Sequence, residues 1–237
     1  MKFRFAAIVI IFVASCAVAA KAPSGQVIDS GSFGVYLNGS RVATETFKIE
    51  QRPDGSTAKS ELRVQDGATQ RSEMELTPQG NIIHYGWEQL QPTKEQVTVV
   101  PKDEFLSETI NAGPNQKIFN VPHLMPHSTP ILEDNFFLHR EILMWRYLAA
   151  GCTSKPEGLQ CSAAPQQFGV LVPAQHLAEK VTIDFKDREK ISVKGKQVEC
   201  SAFHLHTEES DWVVFLDDQE KMVRLVASAA GLEVVRD

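Results

Sequence analysis

Short runs of alternating apolar and polar residues, separated by turn pairs, dominate residues 33–121. Asn38-Gly39 favours a tight two-residue hairpin turn after the first run, and the sequences PDGS, QDGA and PQGN mark three further turns. Because successive side chains of a strand point to opposite faces, the pattern predicts an antiparallel sheet with one dry face and one wet face.

The spacing of the apolar residues changes between residues 130 and 150. Apolar side chains recur there at helical spacing, for example at Leu132, Phe136, Leu143 and Tyr147, and Gly151 follows as a stop signal. We therefore predict a helical insert at about 130–150, formed by one or two helices whose apolar stripe lies on the sheet.

Strand patterns resume after this insert, in five or more segments from QFGVLVPA to LEVVRD. The predicted fold class is mainly β with a helical insert: a curved antiparallel sheet, or half-barrel, that wraps one or two central helices. One such domain accounts for residues 21–237.

The first twenty residues are typical of a signal peptide, with Lys2 and Arg4, an apolar run at 5–13 and small residues at 17–20. The sequence Val13-Ala14-Ser15-Cys16 also resembles a lipobox, in which Cys16 would carry a lipid anchor. We expect a periplasmic or secreted protein, or alternatively a membrane-anchored lipoprotein. No apolar run reaches the roughly 20 residues of a transmembrane helix.

The charge of the chain argues against one class of function, and its cysteines predict a disulfide. The formal net charge of −6 supplies no basic surface for nucleic acid. In an oxidising compartment Cys152 and Cys161, which bracket a short polar loop, are expected to form a disulfide. Cys200 lies in a strand pattern and is expected to be a buried free thiol.

Asp29-Ser30-Gly31 resembles the D-[ST]-G loop of pepsin-type aspartic proteases. Such a site needs two of these loops, because two carboxylates must share a proton, and the sequence contains one. We interpret Asp29 as a turn or strand-entry residue. The sequence also contains no G-x-S-x-G nucleophile motif, and no catalytic residue is assigned.

Histidines form the next candidate site. His204 and His206 are predicted to project from one face of a strand, and His123 and His127 frame the loop HLMPH. With Glu208 or Asp134 they would offer the nitrogen and oxygen ligands that zinc takes. The alternative is that these histidines are solvated or hydrogen-bonded, since no HExxH or CxxC motif accompanies them.

The helical insert carries more apolar surface than one stripe needs. Most of it is expected to be core, but part could line a cavity for an apolar ligand. The candidate cavity residues are Phe136, Phe137, Leu143, Met144, Trp145 and Tyr147.

The opening strands GVYLNGSRVATETFKI, the central insert and the closing DWVVFLDDQEKMVRLV together resemble bacterial periplasmic proteins with an unclosed β-barrel of the LolA/LolB type. The resemblance implies a strongly bent antiparallel sheet around helices and an apolar cavity for lipidated cargo. It carries over no individual binding residue, and the cysteine-bracketed loop after the helix departs from the family pattern.

These observations predict a cell-envelope protein without a cofactor that binds or carries a hydrophobic or lipid-like ligand, or an envelope partner. The alternative is a periplasmic metal-assisted hydrolase that uses a histidine cluster. A third hypothesis is an assembly component that pairs through exposed sheet edges.

Overall fold

The structure is a computed structural model that describes residues 25–113, 116–155 and 158–237. The predicted signal peptide and Cys16 lie outside these residues. The described residues form sixteen strands and one α-helix. The strands before the helix are β1 (Gln26–Leu37), β2 (Ser40–Arg52), β3 (Gly55–Val64), β4 (Thr69–Leu76), β5 (Ile82–Gln91), β6 (Glu95–Lys102), β7 (Phe105–Asn111) and β8 (Phe119–His123).

The second part of the chain begins with the helix and ends with a strand. Its elements are α1 (Phe137–Gly151), β9 (Cys152–Lys155), β10 (Gly158–Cys161), β11 (Gln166–Val172), β12 (Leu177–Val193), β13 (Lys196–His206), β14 (Asp211–Leu216), β15 (Met222–Ala227) and β16 (Leu232–Arg236). A 3-10 turn at Pro173–Gln175 connects β11 to β12, and another at Ser228–Ala230 connects β15 to β16.

Fourteen of the strands form one antiparallel sheet in the order β11-β12-β13-β14-β15-β16-β1-β2-β3-β4-β5-β6-β7-β8. The first and last strands therefore pair in the middle of the sheet, with Val35 opposite Val234. The remaining pair, β9 and β10, forms a separate hairpin. The predicted mainly β fold with a large antiparallel sheet is confirmed, and the insert predicted as one or two helices contains one helix among the described residues.

Local sequence signals account for the hairpins. Asn38 and Gly39 both have positive φ, at 49° and 81°, as the predicted tight turn between β1 and β2 requires. Alternate residues then face the core, for example Phe47 and Ile49 on β2, while Lys48 between them is exposed. The sheet thus has an inner apolar face and an outer face that is mostly polar.

The helix begins later than predicted, at Phe137 instead of near Pro130. Residues 130–132 are held extended because they pair with the edge of β11: Leu132 N–H donates to the Leu171 carbonyl at 2.9 Å, and Leu171 N–H donates to the Pro130 carbonyl at 2.9 Å. One helix follows, and it is buried on nearly every side.

The start of α1 is capped from a distant strand. No side chain at its own N-terminus caps it. Instead Glu45, on β2, accepts hydrogen bonds from Phe137 N–H at 2.7 Å and Leu138 N–H at 3.3 Å. The Ser60 hydroxyl, on β3, donates to the same carboxyl group. A carboxylate at this position satisfies helix N–H groups and faces the positive end of the helix dipole.

The predicted disulfide is confirmed: Cys152 and Cys161 are bonded and lie opposite each other in the β9–β10 hairpin. Cys200 is free and buried, and burial raises the pKa of its thiol to about 11. Among the described residues, no helix is both long and apolar enough to cross a membrane.

Candidate metal centre

Two histidines and one aspartate meet on neighbouring strands. His204 and His206 alternate with Phe203 and Leu205 along β13, and the latter two belong to the main core. The imidazoles therefore project from the outer face. Asp184 lies directly opposite His204 on β12, so the antiparallel register brings its carboxylate between the two rings.

The donor atoms of these three residues are close to a metal-binding arrangement. His204 Nδ1 lies 3.4 Å from Asp184 Oδ2, and His206 Nε2 lies 3.7 Å from Asp184 Oδ1. All three donor atoms lie within 4.8 Å of one another. A tetrahedral ion with bonds of about 2.1 Å holds its ligands roughly 3.4 Å apart, so small side-chain movements would complete the site.

A fourth residue orients one ligand. Asp211, opposite His206 on β14, has its Oδ1 atom 2.5 Å from His206 Nδ1. When Nδ1–H donates to this carboxylate, the lone pair of neutral His206 is on Nε2, the atom that faces Asp184. Carboxylates that hold ligating histidines in this way are a common feature of metal sites.

The site is open to solvent. The Asp184, His204 and His206 side chains are 29%, 37% and 43% exposed, so water could supply the remaining ligands. Three protein ligands with an open position are typical of catalytic rather than structural zinc sites. Two imidazoles and one carboxylate suit several divalent transition metals, including Zn²⁺, Co²⁺ and Cu²⁺.

The sequence predicted only part of this cluster. It placed His204 and His206 on one face, but it proposed Glu208 or Asp134 as the carboxylate. Neither belongs to the cluster: Glu208 N–H donates to Glu179, and Asp134 lies beside Arg140, in the loop before α1. Asp184 was missed because only the β12–β13 register brings it beside His204.

The other histidine pair does not join the cluster. His123 Nε2 lies 2.6 Å from Glu108 Oε2, while His176 Nδ1 lies 2.5 Å from Glu108 Oε1. One buried carboxylate thus holds two imidazoles. His127 contributes its backbone carbonyl, which accepts a hydrogen bond from Ile82 N–H at 2.8 Å.

Asp29 is neither a turn residue nor a strand-entry residue. It is buried inside β1 and forms a paired contact with Arg236, at 3.2 and 2.9 Å. Lys221 Nζ lies 3.1 Å away, and Arg236 also binds Glu141 of α1, at 2.8 Å. Burial alone would raise the pKa of Asp29, but these cations outweigh it and hold the pKa below its usual value. The carboxylate is held in an internal ion-pair network.

A buried serine–histidine pair resembles part of a hydrolase site. Ser72 Oγ lies 3.3 Å from His139 Nε2. However, Glu133 N–H donates to His139 Nδ1 at 3.2 Å, and burial lowers the pKa of His139 to about 3. The neutral ring therefore carries its proton on Nε2 and donates it to Ser72. It cannot serve as the base that activates this serine.

The candidate cavity residues belong to the core in this structure. Phe136, Phe137, Leu143, Met144 and Tyr147 are buried, and the Tyr147 ring packs edge-to-face on Phe203 with centroids 5.7 Å apart. Trp145 is partly exposed and donates its indole N–H to the Glu220 carbonyl at 2.7 Å. A cavity of about 640 Å³ lies elsewhere, on the outer face of β2–β6 around Gly86.

Comparison with protein-family models, with curated proteins and with solved structures finds no match for this chain.

Proposed function

We propose that this chain is an exported protein that binds a divalent transition metal ion through Asp184, His204 and His206. The observation that carries the proposal is the convergence of three donor atoms within 4.8 Å on two paired strands. The orienting contact from Asp211 adds to it. Export is supported by the composition of the first twenty residues.

The bound ion would retain at least one coordination position for water or a ligand. Zinc in such a site polarises its bound water and lowers the pKa of that water to about 7. The protein contributes two imidazoles and one carboxylate, which adjacent strands hold in place. Metal-assisted hydrolysis remains a prediction that builds on this binding site.

Metal titration of the mature protein tests the proposal. After treatment with a chelator, Zn²⁺ is added in a calorimeter, and Co²⁺ is added with its visible absorption recorded. We expect one ion per chain. Removing a neighbour that only orients a ligand weakens affinity by about 10–100-fold, so Asp184→Asn, His204→Ala and His206→Ala should each weaken it by at least about 100-fold.

The matched control is His84→Ala, which removes a partly exposed histidine from the outer face of β5. It should bind zinc as the unchanged protein does. The proposal is wrong if the unchanged protein binds no zinc, or if the double variant His204→Ala/His206→Ala binds zinc as tightly as the control.

We also infer that the sheet forms a half-barrel around α1. The support comes from contacts that reach the helix from distant strands. Glu45 of β2 binds its N-terminus, Met222 N–H of β15 donates to Glu141 at 3.1 Å, and Tyr147 packs on Phe203 of β13. A bent sheet around a helix agrees with the proposed similarity to LolA/LolB-type proteins, although fold similarity alone does not establish a function.

Carriage of a hydrophobic or lipid-like ligand remains a prediction of that similarity. A ligand inside the sheet would have to displace side chains such as Phe136 and Met144, which are fully buried. Native mass spectrometry of protein purified from its own envelope tests this directly, because a bound lipid adds mass. The same spectrum shows whether Cys16 is acylated or removed with the signal peptide.

A further inference from the structure

The two edges of the large sheet are β8 and β11, and they do not pair with each other. The connection from β11 to β12 contains the 3-10 turn Pro173–Gln175, and His176 ends this turn. Residues 174–178 are exposed, whereas the preceding residues of β11, from Val170 to Val172, are fully buried. The turn therefore passes from the buried Pro173 to residues that lie at the surface.

Three polar contacts attach this turn to other parts of the chain. His176 Nδ1 lies 2.5 Å from Glu108 Oε1 on β7, next to the opposite edge strand. Ala174 N–H donates to Glu133 Oε1 at 3.0 Å, and the Gln175 side chain donates to Asp134. Successive turn residues thus bind three different carboxyl groups.

The two of these carboxyl groups that are buried, Glu108 and Glu133, also bind residues from the first half of the sheet. Glu108 is fully buried and binds His123 of β8 through its second oxygen. The oxygen of Glu133 that accepts from Ala174 also accepts from the Tyr85 hydroxyl of β5, at 3.2 Å. The turn is therefore linked to β5, β7 and β8 through side chains. Next to it, Leu171 of β11 forms a backbone bridge with Ile131.

These contacts are easier to release than a paired strand. Pro173 at the start of the turn is buried, but Ala174, Gln175 and His176 are exposed. His176 also has a left-handed φ of 57°, a conformation that costs energy for a residue other than glycine. Segments that are held by few polar contacts and little burial open most readily in native proteins. Ile131 and Leu132, which pair with Leu171 of β11, are almost fully buried.

We propose that Ala174–His176 forms a latch between the two sheet edges, and that its release opens the seam between β8 and β11 to the interior. The latch is independent of the metal centre, which lies on the outer face of β12 and β13. It gives the fold a defined entrance beside residues 130–132, which pair with the edge of β11.

Amide hydrogen exchange on the full chain, followed by mass spectrometry, tests the latch. His176→Asn removes the imidazole and keeps a residue that tolerates the left-handed conformation. Glu108→Gln replaces one of the two carboxyl oxygens that contact the imidazoles with an amide NH2 group. Both variants should speed exchange about tenfold or more in β8, in β11 and in residues 130–132, because the loss of one partner leaves a buried polar group unsatisfied.

Exchange in β1, β2 and β16 should stay at the rate of the unchanged protein, as should exchange everywhere in the control His84→Ala. The inference is overturned if the latch variants exchange like the control, or if exchange rises equally in all strands, which would indicate general destabilisation.

Fluorescence of 1-anilinonaphthalene-8-sulfonate, a dye that fluoresces more strongly when it binds exposed apolar surface, provides a second readout. We expect stronger dye fluorescence from His176→Asn than from the control at a temperature where both have the same far-ultraviolet circular dichroism. Equal fluorescence from the two proteins would mean that the interior stays closed without the imidazole, and the latch would be rejected.

Discussion

A carboxylate that does not contact the proposed ion controls how His206 faces the site. The Asp211–His206 contact joins directly opposed residues of β14 and β13. It selects the tautomer with a free Nε2 and restrains the ring against rotation. His204 turns Nδ1 towards Asp184, so the two imidazoles would bind the ion through different nitrogens.

Replacing Asp211 with asparagine should weaken zinc binding by about 10–100-fold without changing the stoichiometry. The amide can no longer hold the His206 N–H with a charge-assisted hydrogen bond. Calorimetric titration measures the change. Asp218→Asn, which removes an exposed carboxylate near Arg188, is the control, and equal affinities in the two variants would contradict the orienting role.

At the scale of the element, α1 depends on a residue that lies 92 positions away from it in the sequence. Glu45 supplies the cap that the helix lacks locally, and it does so in a fully buried place. Burial raises the pKa of Glu45 to about 7, although its hydrogen bonds to Ser60 and to the helix oppose that shift. Helix and sheet are therefore joined by a polar contact inside an apolar core.

The substitution Glu45→Ala should lower the free energy of unfolding by about 1–3 kcal/mol, because it leaves two helix N–H groups without a partner. Urea denaturation at pH 6 measures this loss. Glu50→Ala, which removes a surface carboxylate from the same strand, should change the urea midpoint little, since exposed ion pairs contribute weakly. Similar midpoints for both variants would count against the capping role.

The β9–β10 hairpin that follows α1 is held by the disulfide. Replacing Cys152 and Cys161 together by serine should lower the free energy of unfolding by about 2–3 kcal/mol, as expected for closing a short loop. The unchanged protein in the presence of a reductant should show the same loss. If the reductant lowers the free energy of unfolding of the double variant by the same amount as that of the unchanged protein, the effect does not come from this disulfide.

Local sequence signals were sufficient to predict part of the fold. Turn pairs such as Asn38-Gly39 and the alternation on both sides of them fix hairpins between neighbours in sequence, and the structure has those hairpins. The helix start was wrong because residues 130–132 pair with β11, a contact that no local pattern encodes. Asp184 and Glu45 were missed for the same reason, since strand register and helix placement bring each to its partner.

At the scale of the whole molecule, buried ionisable groups couple stability to pH. Burial raises the pKa of Glu45 and Glu133 to about 7, and that of Glu141 to about 8, from an ordinary value of 4.5. The folded chain keeps protons that the unfolded chain releases, so stability falls as pH rises from about 4.5 to 8. His139, with its pKa lowered to about 3 from 6.5, opposes this fall, but only below about pH 6.5.

The free energy of unfolding should therefore be lower at pH 8 than at pH 6.5, by on the order of 2 kcal/mol. Urea denaturation at the two pH values gives the difference. Glu141→Gln, which imitates the protonated side chain, should reduce the difference by about half, whereas Glu104→Gln at the surface should leave it unchanged. An increase in the free energy of unfolding towards pH 8 would contradict the conclusion that these three carboxyl groups keep their protons in the folded chain.

The pairing of β1 with β16 also sets an order of events during synthesis. The ribosome makes β16 after every other strand of the sheet, while β1 is made before them. Until β16 arrives, one edge of β1 and one edge of β15 stay unpaired, and Asp29 lacks Arg236. The two parts of the sheet that lie on either side of this pairing therefore cannot be joined until β16, the last of its strands in chain order, has been made.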